Sequence, residues 1–221
     1  MQKIKFTIGI DEVGRGPVAG PVAVGALMVS EDKIKEVIKM FEGFKDSKKL
    51  SPKKRNEWFV NIRQAKEDGL LNYKVVFVDN NEIDKNGIAP SIRVCINKSL
   101  KQLQKCWAPD TPHFCWVSGA QHLGKRDFSE VLVLLDGGLK APEKFVNQKT
   151  IIKGDEKELL IALASIVAKV TRDALMCKFA KKYPEYEFEK HKGYGTKKHM
   201  EAIKKYGLCE IHRRSFLKKI N

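Results

Sequence analysis

The chain has 221 residues, 43% of them hydrophobic, enough to bury a sizeable core in one domain with an appendage or in two small domains. Its formal net charge of +15 favours an anionic partner, nucleic acid before an acidic membrane surface, although a solvated cationic surface would show the same excess. Five cysteines without a C-x-x-C pair, no signal-peptide core and no apolar stretch of bilayer length predict a cytoplasmic protein that enters no membrane.

Two predicted strands open the chain, over residues 3–10 and 21–29, which are apolar and β-branched with Gly-Pro signals between them. Asp11 and Glu12 follow the first strand directly, and a G-R-G-P turn at residues 14–17 comes next. Glycines let a backbone approach a ligand closely, while exposed amides and an arginine can bind phosphate or hydroxyl oxygens. A tight turn would explain the same residues, and the absence of a phosphate-loop signature disfavours a nucleoside triphosphate.

Strands and helices alternate in the next part of the sequence. Ser51 is expected to cap a helix that begins at Pro52, and residues 70–79 are predicted to form a strand. Residues 88–105 carry apolar side chains at helical spacing. The segment 106–129 has turn residues, two tryptophans and no clear period, so its role stays open.

The second half begins with residues 130–138, a short apolar run that ends in Asp136 and two glycines. This pattern is typical of a buried strand that presents a carboxylate at the edge of a sheet. Another strand is expected near 148–152, followed by one long apolar helix with Asp155 at its start. The polar, basic tail contains one predicted helix from about residue 196 to residue 206.

Four acids therefore fall at the ends of predicted elements: Asp11, Glu12, Asp136 and Asp155. Like charges about 4 Å apart repel by about 1 kcal/mol in water and about 4 kcal/mol at a partly buried site, so such a cluster requires a cation. Mg²⁺ prefers oxygen ligands, and two ions about 3.5 to 4 Å apart can drive phosphodiester hydrolysis. Each acid alone is also explained as a surface, turn or helix-start residue, so their convergence is a hypothesis.

Five ordered motifs carry a resemblance to a known family: "GIDEVGRGPVAGPV", "DSKKLS", "LLDGG", "IKGDEK…ALASIVAKVTRD" and "HKGYGTKKH". The chain resembles the bacterial ribonuclease HII family from Gly9 to about His199. The resemblance implies an α/β, ribonuclease H-like fold with a central mixed β-sheet flanked by helices. It further implies a catalytic core over residues 1–185 and a basic helical C-terminal extension over residues 186–221.

The same resemblance implies a reaction and its residues. The reaction is hydrolysis of the RNA strand of RNA–DNA hybrids and incision 5′ of single ribonucleotides in duplex DNA, leaving 3′-hydroxyl and 5′-phosphate ends. The implied catalytic acids and ligands for Mg²⁺ or Mn²⁺, in a two-metal site, are Asp11, Glu12, Asp136 and Asp155. In this family the G-R-G turn recognises the ribose 2′-hydroxyl, the group that distinguishes RNA from DNA. The implied substrate-binding residues are Gly14, Arg15, Gly16, Ser47, Lys48 and Tyr194.

Some of these roles have plainer alternatives. Tyr194, implied to stack on a deoxyribose, would also suit a packing role, and a solvated lysine run would explain Lys48. Asp173 is expected to be structural, paired with Arg172 or a neighbouring base. Asp173 lies about 18 residues after Asp155, and on one continuous helix this separation would place the two acids roughly 27 Å apart.

The chain also departs from the family pattern in two places. Asp136-Gly137-Gly138 stands where the family usually has Asp-Gly-Asn, which leaves the acid intact, and the segment 106–129 is longer than usual. Two other functions remain open: a ribonuclease HIII-type enzyme, which carries an added N-terminal domain, and a non-catalytic nucleic-acid-binding protein of the same fold. We expect the protein to be a monomer.

Overall fold

The protein is described by a computed structural model that covers residues 3–43, 50–106 and 127–218. Within these ranges five strands form one sheet in the order β3-β2-β1-β4-β5. Strand β1 pairs antiparallel with β2 and parallel with β4, β2 pairs antiparallel with β3, and β4 pairs parallel with β5. The strands are β1 (Phe6–Val13), β2 (Val22–Ser30), β3 (Asn72–Val78), β4 (Val131–Asp136) and β5 (Asn147–Ile151).

Helices cover both faces of this mixed sheet, as the ribonuclease H-like prediction required. In the described part of the chain they are α1 (Ile34–Met40), α2 (Pro52–Glu67), α3 (Asn80–Asn86), α4 (Ile88–Leu103), α5 (Gly154–Lys157), α6 (Leu159–Lys182), α7 (Phe188–His191) and α8 (Lys197–Tyr206). None of these helices is long and apolar enough to cross a bilayer.

The predicted helix starts at residues 51–52 and 196 are confirmed. The Ser51 hydroxyl accepts a hydrogen bond from the amide of Lys54 at 3.2 Å, and the Thr196 hydroxyl accepts one from the amide of His199 at 3.4 Å. Each bond satisfies one of the amides that the first helical turn leaves without a partner. Helix α3 was not predicted; Asp79 caps it by accepting a bond from the amide of Glu82 at 2.9 Å.

One predicted element is wrong in part: the long helix after Asp155 is two helices. Glu158 has extended backbone angles, φ −124° and ψ 116°, and separates α5 from α6. The two helices are anchored on different strands, since α5 packs against β4 while α6 packs mainly against β1 and β2. The expected spacing of Asp155 and Asp173 along one continuous helix therefore does not apply.

Apolar side chains fill the space on both sides of the sheet. Helix α4 buries Ile92, Ile96 and Leu100 against one face, which includes Ile8 and Ile10 of β1. Helices α2 and α6 cover the other face with a set that includes Ile62, Leu163 and Val167. Burial of this apolar surface is the main force that holds the layers together.

Helix α6 lies unusually close to the strand that carries the first two acids. A β-carbon built on Gly9 of β1 would lie 2.2 Å from the carbonyl carbon of Leu160. Only glycine permits this approach, because a side chain would overlap the helix backbone. The close contact brings polar residues of α6 next to the carboxyl end of β1.

A third apolar cluster joins the C-terminal residues to the end of α6. It contains Met176 of α6, Phe188 of α7, Ile203 of α8 and Ile211, all buried, together with Ala19 in the connection between β1 and β2. The C-terminal residues thus contact the loop that follows the first acids. The division of the chain at residue 185 into a catalytic core and a C-terminal extension stays a prediction.

Candidate functional site

The acidic cluster lies at the carboxyl ends of two neighbouring parallel strands. In the register of β1 and β4, Ile10 pairs with Leu135, so Asp11 and Asp136 follow side by side. Carboxylate oxygens of Asp11, Glu12 and Asp136 all lie within 4.8 Å of one another. The structure therefore brings together three of the four predicted acids.

Asp11 is the buried member of the cluster, with 4% of its surface exposed. The pKa of its carboxyl is raised to about 8, mainly by burial and also by the charges of Glu12 and Asp136, against the lowering effect of a hydrogen bond with Ser165. The ionised form is thus costly without a nearby cation. Three crowded carboxylates are the hard oxygen donors that Mg²⁺ and Mn²⁺ accept, so the donor set fits a divalent ion.

Asp136 is oriented by the segment that contains the fourth acid. The amide of Gly154 donates a hydrogen bond to Oδ1 of Asp136 at 2.6 Å. Asp155 is the next residue, and its side chain is fully buried in the first turn of α5. Asp155 therefore lies beside the cluster along the backbone, but its carboxylate is not among the three that the structure gathers.

The three acids line a cleft of about 340 Å³ together with residues of the G-R-G turn. Tyr194 also lines this cleft and is 42% exposed, so it is not a core packing residue. A β-carbon on Gly16 would lie 3.9 Å from the Tyr194 ring. The Arg15 side chain is mostly exposed, and its Nη1 lies 3.7 Å from Oε1 of Glu12. The turn and the tyrosine thus form one wall beside the acids.

Three further cleft residues were not singled out from the sequence: Arg55, Ser165 and Lys169. Ser165 and Lys169 are four residues apart on α6 and so share one face of the helix. Two polar side chains at this spacing in the otherwise apolar first half of α6 are the signal that the sequence contains. Arg55 carries no such signal among the basic residues at the start of α2.

Asp173 pairs with a neighbouring base, which was one of its two expected partners. Its Oδ1 lies 2.8 Å from Nζ of Lys169. Pairing with Arg172 is wrong, because the Arg172 guanidinium donates to the main-chain carbonyls of Ala19, Pro21 and Lys192. Ser47 and Lys48, predicted to bind phosphate, lie outside the described residues, as do residues 107–126 of the segment whose role is open.

Comparison with known proteins identifies the family to which the chain belongs. The family model described as Ribonuclease HII matches residues 8–219. The chain belongs to the ribonuclease HII family. It is thus a type 2 ribonuclease H, an endonuclease of a metal-dependent family that acts on RNA–DNA hybrids. The ribonuclease HIII-type and non-catalytic alternatives are not supported.

Curated relatives match nearly the whole chain. The ribonuclease HII of Caldicellulosiruptor bescii is 43% identical over 216 residues, which are 98% of this chain and 88% of the relative. The ribonuclease HII of Clostridioides difficile is 42% identical and covers 96% of this chain and 70% of the relative. These relatives and the mixed sheet agree with the predicted fold.

Solved structures share the architecture. Ribonuclease H2 of Pyrococcus horikoshii superposes with a TM-score of 0.61 at 26% identity, covering 97% of this chain and 96% of the other. Ribonuclease HII of Archaeoglobus fulgidus, solved in a complex with PCNA, gives a TM-score of 0.63 at 21% identity and covers 94% and 93% of the two chains. A ribonuclease HIII solved with Mn²⁺ gives 0.61 at 17% identity, covering 97% of this chain and 65% of the other. The last two show the common fold alone.

Proposed function

We propose that the protein hydrolyses the RNA strand of RNA–DNA hybrids and incises duplex DNA on the 5′ side of a single embedded ribonucleotide. The observation that carries this proposal is the meeting of Asp11, Glu12 and Asp136 at the wall formed by the G-R-G turn. Carboxylates beside a glycine-flanked turn combine a place for cutting with a place for recognition.

The three gathered acids would hold the divalent ions, with Asp155 as the proposed fourth acid beside them. When bound, Mg²⁺ or Mn²⁺, as a pair of ions, supplies Lewis acidity to the phosphodiester and lowers the pKa of an attacking water. The Gly154 amide fixes the orientation of Asp136, and the Ser165 hydrogen bond favours ionised Asp11. The products would carry 3′-hydroxyl and 5′-phosphate ends.

Recognition is assigned to the wall that the G-R-G turn and Tyr194 form beside the acids. Backbone groups of Gly14, Arg15 and Gly16 would contact the ribose 2′-hydroxyl, and the Tyr194 ring would stack on the neighbouring deoxyribose. Lys169 and Arg55 line the same cleft and place positive charge where a backbone phosphate would lie. We retain Ser47 and Lys48 as proposed phosphate contacts.

The setting of the enzyme is also part of the proposal. The five cysteines are odd in number and include no C-x-x-C pair, a pattern that fits a reducing compartment. We propose a cytoplasmic monomer that binds RNA–DNA hybrids and ribonucleotide-containing DNA and enters no membrane. The net charge of +15 supports the nucleic-acid partner.

Incision of a labelled duplex with one embedded ribonucleotide tests this proposal, with an RNA–DNA hybrid and an all-DNA duplex assayed beside it. We expect cutting of the first two with Mg²⁺ or Mn²⁺ and none with EDTA. Asp136→Asn should abolish cleavage while hybrid binding persists, because the variant loses a ligand and keeps the cleft. Full activity of Asp136→Asn would refute the assignment of the acids.

A further inference from the structure

Two arginines are completely buried beneath the G-R-G turn. Arg172 of α6 and Arg213 near the C-terminus are each 0% exposed. All described hydrogen bonds of both guanidinium groups go to main-chain carbonyl oxygens. Burial, followed by repulsion from Arg172, lowers the pKa of Arg213 to about 9, which still leaves it charged at neutral pH. The Arg213 guanidinium also lies 5.2 Å from the centroid of the Phe216 ring, but a buried cation whose hydrogen bonds go to carbonyls alone still needs an explanation, because its desolvation is expensive.

Arg213 binds the turn itself. Its Nη2 donates to the carbonyl of Gly14 at 2.7 Å, its Nη1 to the carbonyl of Arg15 at 3.2 Å and its Nε to the carbonyl of Gly20 at 2.8 Å. The planar guanidinium fork thus spans both ends of the loop that follows the acids. Arg172 donates to the carbonyls of Ala19 and Pro21 at the far end of this loop, and at the near end it packs against Gly14 without a hydrogen bond to the turn.

The main chain fixes the place of Arg213. Its amide donates to the carbonyl of Val18, and the amide of Gly20 donates to the carbonyl of Ile211, each at 2.8 Å. On the other side, Asp84 of α3 accepts bonds from the amides of Arg214 and Ser215 at 2.8 and 2.9 Å. The segment is therefore held from two directions, and the guanidinium has a defined position.

Peptide geometry gives this contact a consequence at the cleft. In a trans peptide the carbonyl of one residue and the amide of the next point in opposite directions. Because Arg213 holds the carbonyls of Gly14 and Arg15 on the buried side, the amides of Arg15 and Gly16 point the other way. Within the described chain neither amide donates to another main-chain group. Two amides without a main-chain acceptor thus point away from Arg213 in a turn that lines the cleft.

We propose that Arg213 is a positioning residue that turns the amides of Arg15 and Gly16 toward the ribose 2′-hydroxyl. It touches no substrate and acts through the backbone of the turn. This inference rests on the proposed function, because that function places the 2′-hydroxyl at the G-R-G turn. A lysine at this position would keep the charge but lose the fork, so it could not hold both carbonyls in place.

Binding preference measures this role separately from folding. In an Asp136→Asn background, which prevents cutting, the Kd of a duplex with one ribonucleotide is compared with that of the all-DNA duplex. Adding Arg213→Lys should lower the preference for the ribonucleotide by up to about tenfold, the change in affinity that corresponds to the loss of one hydrogen bond. Affinity for the all-DNA duplex should change little at a temperature where circular dichroism shows the variant folded, although its melting temperature should fall, because lysine leaves buried carbonyls without a donor. The matched control Arg214→Lys, at an exposed neighbour, should leave the preference intact. An unchanged preference in Arg213→Lys would overturn the proposal.

Amide hydrogen exchange supplies a readout that needs neither nucleic acid nor a folded variant. In the unmodified protein the Arg15 and Gly16 amides should exchange rapidly, while the Nε proton of Arg213 should be protected. Strong protection of both amides would show that they are bonded internally and would refute the role of Arg213. If the Asp136→Asn protein shows no preference for the ribonucleotide, the proposed recognition of the 2′-hydroxyl at the turn is wrong. The exchange rates then test only whether Arg213 holds the amides of Arg15 and Gly16 away from internal acceptors.

Discussion

Acid should destabilise this protein through two buried histidines that bond to each other. Nε2 of His199 lies 3.1 Å from Nε2 of His212. Nδ1 of His199 faces the carbonyl of Tyr194 at 2.8 Å and must donate, while Nδ1 of His212 accepts from the amide of Cys209 at 2.9 Å. His212 therefore donates to His199 through Nε2, and both rings are fully satisfied only when neutral. A proton on His199 would place two N–H groups against each other.

The magnitude follows from the pKa values. Burial is the main cause that lowers the pKa of each ring from 6.5 to about 4. Each histidine therefore stabilises the folded state fully above pH 6.5, and this contribution is lost as the pH falls toward 4, because only the unfolded chain takes up the proton. From about pH 7.5 to about pH 5 the loss is about 2 kcal/mol for each histidine.

The assay compares the wild-type protein with His199→Gln by urea unfolding at both pH values. The variant should be less stable at the higher pH, because it loses the bond to Tyr194. This difference in the free energy of unfolding should shrink by about 2 kcal/mol at the lower pH, where the wild-type histidine no longer helps. Titrating groups that do not contact His199, such as Asp11, contribute to both proteins and cancel, whereas His212, which donates to His199, does not cancel fully. A difference that stays constant with pH would refute the reasoning.

Three further predictions concern the G-R-G turn, the loop after Asp136 and the cleft. Gly14→Ala should destabilise the protein by about 1–3 kcal/mol in thermal unfolding, because Gly14 has φ +87° and a β-carbon would lie 2.3 Å from Nε of Arg172. Gly138→Asn should change the free energy of unfolding by no more than about 0.5 kcal/mol, since a β-carbon at Gly138 would meet nothing within 4 Å. Equal stability of the Gly14→Ala and Gly138→Asn variants would contradict the described packing of Gly14 against Arg172. Lys169→Gln should weaken hybrid binding and reduce the slope of log K against log salt by about 1, and an unchanged slope would exclude a phosphate contact.

The elements that carry the acids could be predicted because local patterns determine them. An apolar run ending in Asp136 and a Ser51-Pro52 helix start depend on neighbours in the sequence, and both are confirmed. The break at Glu158 could not be predicted, because it reflects the docking of α5 and α6 on different strands rather than a glycine or proline. The apolar pattern continues across Glu158, so the sequence looks the same as that of one uninterrupted helix.

The site shows the same division. The sequence places Asp11 and Asp136 at strand ends, but only the parallel register of β1 and β4 makes them neighbours. The buried roles of Arg172 and Arg213 had no local signal, since their partners are carbonyls about 20 to 200 positions away in the sequence. Contacts with main-chain carbonyls leave no partner residue type for a sequence pattern to reveal.

Direct measurement of Mn²⁺ binding to the substrate-free protein tests the central claim, that Asp11, Glu12 and Asp136 hold divalent ions. Electron paramagnetic resonance can count free Mn²⁺ for the wild type, for Asp136→Asn and for the control Asp173→Asn, an acid that pairs with Lys169 outside the cluster. Loss of a residue that only supports a metal ligand lowers metal affinity by about tenfold or more, and Asp136→Asn should lower the Mn²⁺ affinity by more than tenfold, because it removes a ligand. The Mn²⁺ affinity of Asp173→Asn should stay near that of the wild type. Equal Mn²⁺ affinity of Asp136→Asn and the wild type would contradict the account.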